Sequence, residues 1–137
     1  MFFPIFDNIR NVLKPISPDR AVQWFNNQYE STITNSNNLF IQFKDGKVSR
    51  PTKKGNQLDC FIFVHVVQKI ASGVDGSISD QQLLSHDTGV DGVIEALDGY
   101  VYSNGADKSR ELKWVGVEPQ QTIGGFIVTI LQFQFIF

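Results

Sequence analysis

The alternation of apolar and polar positions predicts most of the elements of this chain. The strongest stretch is Leu58 to Val67, LDCFIFVHVV, which is apolar on both alternating faces. Leu58, Cys60, Ile62, Val64 and Val66 point one way and Phe61, Phe63 and Val67 the other, with Asp59 and His65 interrupting. A strand buried on one face alternates apolar with polar, whereas one covered on both faces reads as a near-continuous β-branched and aromatic run. The pattern therefore predicts a central strand with helices on one side and another layer on the other. Near the N-terminus, Phe2, Phe6, Ile9 and Leu13 share one helical face, with Pro4 in the first turn and Pro15 as the stop. Ser17-Pro18-Asp19 has the chemistry of a helix start, and Val22, Phe25 and Tyr29 follow at spacings of three and four. They predict a second helix to Tyr29, with Trp24 beside its stripe as core or contact.

Glu30 to Asn38 is polar and rich in turn formers, so it reads as a loop, and Leu39 to Phe43 as a short first strand. Residues 44–57 combine Gly46, Pro51 and Gly55 with Lys44, Lys47, Arg50, Lys53 and Lys54 against Asp45 alone. They predict an extended, flexible basic loop or loose hairpin, and a connection of that length is uncommon unless it is functional or mobile. Beyond the central strand, Ala71 to Ser77 is a Gly-rich loop. Ser79-x-x-Gln82 and Thr88-x-x-Asp91 resemble capping boxes, and Leu83, Val90, Ile94 and Leu97 share a helical face ending at Asp98-Gly99. Gly89 and Gly92 each weaken a helix by roughly 1 kcal/mol relative to Ala, which predicts a loose start and a firm helix only from Thr88 to Leu97. Ser103 to Ser109 reads as a loop, Glu111 to Val117 as a third strand, and Glu118 to Gly125 as a turn. Phe126 to Phe137 is a long last strand. The order is α-α-β-β-α-β-β, an α+β chain with four strands and no internal repeat.

At 137 residues the expectation is a single domain spanning 1–137. A net charge of −2 disfavours a dedicated nucleic-acid binder, although it leaves room for a local basic patch. The single cysteine, Cys60, allows no internal disulfide and reads as a buried small hydrophobe in a reducing compartment rather than as a catalytic thiol. No apolar run approaches the roughly 20 residues of a membrane helix, so no membrane partner is expected. The opening MFFPIF lacks the basic region and cleavage site of a signal peptide.

Few residues offer catalytic chemistry. His65 and His86 lack Cys, His or carboxylate neighbours at metal-ligand spacing, so no metal or other cofactor is expected. His65 reads as a hydrogen-bonded core or interface residue. The carboxylates are scattered, Gly73 to Ser77 is no phosphate loop, and no serine sits in a nucleophile elbow. The expectation is a protein without catalytic residues. Lys47, Arg50, Lys53 and Lys54 have three readings: a solvated loop, contact with an acidic partner or neighbouring copy, or contact with DNA phosphates. The last twelve residues, FIVTILQFQFIF, carry no charge, and an uncharged β-prone strand at an open edge is an aggregation hazard. Either it packs inside the domain, or a neighbouring copy covers Phe126, Val128, Phe133, Phe135 and Phe137.

Taken together, an N-terminal helix, LFIQF, a long variable loop, LDCFIFVHVV, a helix with GVIEALDGY, LKWVGVEP and a closing GFIVTILQFQ resemble the tail-terminator family of long-tailed phages. The resemblance covers nearly the whole chain through element order and apolar texture, and the predicted helix from Ser17 to Tyr29 departs from it. It implies a twisted, mostly antiparallel sheet with helices packed on it. It further implies a homo-oligomeric, usually hexameric ring that caps the tail tube, stops tube polymerisation and docks the head connector, with DNA passing through the lumen. The implied partners are further copies of the chain, the tail tube protein, the head-completion protein and unspecifically contacted DNA, and the implied location is the tail–neck junction of the virion. A head–tail connector or neck completion protein is the neighbouring alternative. A small α+β enzyme or ligand-binding module is the unrelated one.

Overall fold

The structure is a computed structural model that describes residues 1–16, 20–26, 37–52, 55–71 and 73–137. It is α+β. Helix α1 (Phe2–Leu13) leads to a short strand β1 (Ala21–Trp24) and two long strands, β2 (Asn38–Thr52) and β3 (Gly55–Lys69). Helix α2 (Asp80–Leu97) precedes a minute hairpin of β4 (Ser103–Asn104) and β5 (Asp107–Lys108), then β6 (Lys113–Ile123) and β7 (Phe126–Ile136). The main sheet has five strands in the order β1-β2-β3-β7-β6, and β4-β5 form a separate two-stranded sheet.

The central strand lies where the alternation placed it, with β3 third of five and paired antiparallel to β2 and β7. Leu58, Cys60, Ile62, Val64 and Val66 join Leu39, Ile41, Leu131, Phe133 and Phe135 in one core with Ile5, Phe6, Ile9 and Leu13 of α1 and Val93 and Leu97 of α2. Both helices therefore cover the same face. The opposite face carries a smaller cluster of Phe40, Val67, Phe126 and Val128, with Phe25 and Ile130 packed against it. Phe61 and Phe63 remain half-buried there.

Four expectations give way. Residues 21–24 form a strand parallel to β2, pairing Ala21 with Asn38 and Trp24 with Ile41, in place of the first part of a second helix. Residues 17–19 and 27–29 of that expected helix, and Lys53 and Lys54, lie outside the described residues. The sheet is accordingly mixed and five-stranded rather than four-stranded and antiparallel. Residues 44–52 and 55–57 are no loop, because β2 and β3 continue their ladder through them as a hairpin arm. The apparent turn residues sit at irregularities of that ladder: Asp45, at φ 55°, and Gly46 lie between paired Lys44 and Lys47, and Pro51 between Ser49 and Thr52. In the same way Pro119 falls in the irregularity between Glu118 and Gln121 on the edge strand β6, where a missing amide proton is tolerated. The turn itself shrinks to Gly124-Gly125, both at positive φ, which is the backbone that a two-residue hairpin requires.

Helix α2 is continuous from Asp80. Ser79 caps it, its Oγ accepting from the Gln82 amide at 3.2 Å, while the Gln82 side chain clasps Ala71 by both backbone groups at 2.8 and 3.0 Å. Thr88 caps nothing and donates back to the Leu84 carbonyl at 2.9 Å. The two helical glycines have a packing reason. A Cβ at Gly89 would lie 2.6 Å from the Arg20 guanidinium, and one at Gly92 3.1 Å from Ile16 Cγ2. The helix closes as expected at Asp98 and Gly99, the latter at φ 86°.

Candidate functional site

Two surface features stand out, at opposite edges of the sheet. On the β1 side, β1 pairs with β2 only as far as Ile41, and the outer edge of β2 continues beyond it. The irregularity at Asp45-Gly46 shifts the side-chain alternation, so that Val48 opposite Leu58, not Lys47, continues the apolar row of Leu39, Ile41 and Phe43. A hollow of about 420 Å³ opens along this edge, lined by Phe2, Trp24, Phe43, Val48, Leu58 and Cys60 among others. An aromatic cluster builds its wall: Trp24 packs at 5.4 Å on both Phe6 and Phe43, and Phe43 at 5.0 Å on Phe2. Val48 is 64% exposed at its rim, with Lys44, Lys47 and Arg50 exposed nearby.

On the far side, β6 forms the other edge. It exposes Trp114, Val115 and Val117 by 42%, 49% and 48%. Val115 lies in the register irregularity between Trp114 and Gly116, where a bulge turns it outward. Helix α2 runs alongside. Asp98 accepts from the Trp114 amide at 3.0 Å and Asp87 from Gln120 Nε2 at 3.0 Å, which fixes both ends of an exposed stripe of Asp87, Asp91, Glu95 and Asp98 against β6. Helix α2 itself contains no lysine or arginine.

The aromatic residues of the last strand are placed differently from the expectation. Phe133 and Phe135 are fully buried under the chain's own helices, Phe126 and Val128 are buried on the other face, and Phe137 is half-buried against Tyr102. Strand β7 is interior, between β3 and β6, so it offers no free edge, and on its face away from the helices Ile130, Gln132, Gln134 and Ile136 are half-buried. Of the basic residues, Lys47 and Arg50 stand exposed on the arm, Arg50 donating to Asn56 Oδ1 at 3.1 Å. Of the hollow's walls, the sequence flagged only Trp24 as a contact residue. Val48 and Phe2 gave no sign, because their exposure depends on where β1 ends.

A buried polar knot lies between sheet and helices. Arg20 donates to the Val67 carbonyl at 3.4 Å and to Gln68 Oε1 at 3.3 Å, and burial lowers its pKa. His86 Nε2 and Thr129 Oγ1 are 2.8 Å apart, and His86 Nδ1 has no partner among the described residues. A lone acceptor costs less than a lone N–H donor, which favours the tautomer protonated on Nε2. Burial, then Arg20, pushes the His86 pKa down to about 4. His65, stacked 4.0 Å from Phe25 and paired with Gln42 Oε1 at 2.9 Å, is likewise lowered to about 4 by burial and then Lys44. Cys60 is a buried thiol pushed up to about 11 by burial and by Asp59, the reverse of an activated nucleophile. Among the described residues no group of three or more His, Cys, Asp or Glu is arranged to hold a metal, and no helix is long and apolar enough to cross a membrane.

No family model and no curated protein matches this chain. Among solved structures, its fold is similar to a chain of a "Virion of native gene transfer agent (GTA) particle", with a TM-score of 0.62 and 12% sequence identity. The match covers 98% of this chain and 92% of that chain. At that identity the likeness is one of fold.

Proposed function

We propose that this chain is a structural protein of a virion, a ring-forming subunit that caps the tail tube. The ring stops addition of tube subunits, presents a docking face to the head connector at the tail–neck junction, and lets DNA pass through its lumen. The observation that carries this reading is the end-to-end fold match to a chain of a virion particle. The element order and apolar texture of the tail-terminator family support it independently. The mechanism is binding and capping, with no step that needs a nucleophile or metal. Its working parts are rigid surfaces held by the sheet: the arm, the hollow and the β6 edge.

Electron microscopy of the purified protein, alone and with tail tubes, tests the proposal. The expected result is rings, hexameric by the family resemblance, that arrest tube growth at a fixed length when added during polymerisation. A protein that stays monomeric and neither binds tubes nor limits their growth would refute it.

A further inference from the structure

We infer that neighbouring copies dock head to tail, the β6 edge of one seating against the β2 edge and hollow of the next. This rests on the ring-forming reading above and names its interface. Three observations converge. The two features occupy opposite edges of one sheet, so a single copy cannot join them and a second copy can. Both are apolar: Trp114, Val115 and Val117 are exposed on one edge, and the apolar hollow opens on the other. Their charges are opposite as well. The stripe Asp87, Asp91, Glu95 and Asp98 flanks β6. The β2 edge is net basic, with Lys44, Lys47 and Arg50 exposed along it against Asp45, and Lys44 and Asp45 lining the hollow itself. Among the described residues the one ion pair is Arg10 with Asp7, so neither set is neutralised within its own subunit by such a pair.

Strand direction is consistent with this contact. β2, β3, β7 and β6 alternate in direction, so β2 and β6 of one chain run oppositely. A rotation about an axis along the strands preserves those directions and brings β6 of one copy antiparallel to β2 of the next. A contact between unlike surfaces of identical copies closes into a ring when the rotation divides the circle. The bulges at Asp45-Gly46 and Val115 discourage open-ended strand pairing, which leaves the side chains to select the partner. A volume of about 420 Å³ lies within the range that accommodates a group the size of a large side chain.

The test is directed cross-linking of assembled material, free or tube-bound. Val48→Cys and Val115→Cys both lie at exposed positions, and the native Cys60 is buried, so the wild-type chain is the silent control. Mixing the two single variants should give disulfide-linked dimers of unlike chains, and the double variant a ladder ending at the ring size. Dimers within each single variant, with none between them, would show a symmetric contact and overturn the inference. Rings seen by microscopy without cross-links would overturn it too, while leaving the ring reading standing; a monomer that never assembles would end both. Lys47→Glu with Arg50→Glu should weaken assembly at least tenfold, and adding Asp91→Lys with Glu95→Lys should restore it. Failure of that rescue in variants with unchanged circular dichroism would refute the charge pairing.

Discussion

Gly89 tests whether the packing of Arg20, rather than helix propensity, decides a residue in α2. Replacing Gly by Ala in a helix interior ordinarily stabilises by about 1 kcal/mol. Here the new methyl group would sit 2.6 Å from Arg20 Nη2 and 2.9 Å from Cζ. The guanidinium must move, although it is only 9% exposed and is held by the Val67 carbonyl and Gln68. Both bonds are long, at 3.4 and 3.3 Å, so about 1 kcal/mol each is a reasonable loss, toward the low side for a charged donor. The net expectation for Gly89→Ala is destabilisation by about 1 kcal/mol. In an Arg20→Met background the obstruction is gone, and the same substitution should stabilise by about 1 kcal/mol. The coupling between the sites is then about 2 kcal/mol, well outside the additivity expected of independent positions. Urea unfolding of the four variants at one protein concentration, followed by circular dichroism, measures it, with concentration fixed because assembly contributes to apparent stability. Additivity within about 0.5 kcal/mol would refute the coupling and show that Gly89 has no packing role.

Further expectations are simpler. Ile62→Asp, fully buried in β3, should prevent folding, because an unpaired buried carboxylate costs a large share of a stability of roughly 5–15 kcal/mol; a soluble, cooperatively melting variant would contradict the core assignment. For His86, the folded pKa near 4 lies below the ordinary value of 6.5, so the unfolded chain binds the proton first. Its contribution is complete above pH 6.5, declines as pH falls from there to about 4, and is constant below. Denaturant melts should show wild-type stability falling more steeply across that window than His86→Gln, by up to about 1.4 kcal/mol per pH unit, and equal slopes would refute the assignment. Phe133→Lys should unfold the subunit rather than dissociate an assembly, which circular dichroism and native mass spectrometry distinguish.

Elements whose signals are local were legible in the chain before any fold was known. Alternation over Leu58 to Val67 specified an interior strand, because successive side chains of a strand point oppositely whatever it pairs with. Among the described residues, however, both helices cover one face and leave Phe61 and Phe63 half-buried on the other, where a further layer was expected. Ser79 as a cap, Gly99 as a stop and Gly124-Gly125 as a turn could be read because each satisfies a requirement of the backbone within a few residues. Features that depend on a distant partner came only from the assembled fold. Val22 and Phe25 fit a helical stripe by spacing, yet residues 21–24 are a strand because the β2 edge offers their backbone a ladder. Gly46, Pro51 and Pro119 signal turns locally but are absorbed as irregularities once long strands pair across them. The aromatics of the last strand looked in need of a neighbour because an isolated strand has two edges and two faces. In the fold β3 and β6 take the edges, and the chain's own helices cover Phe133 and Phe135. The hollow arises the same way, from where β1 ends; the spacing of Asp87, Asp91, Glu95 and Asp98 already marks one solvated helical face, and only its position beside β6 came from the fold.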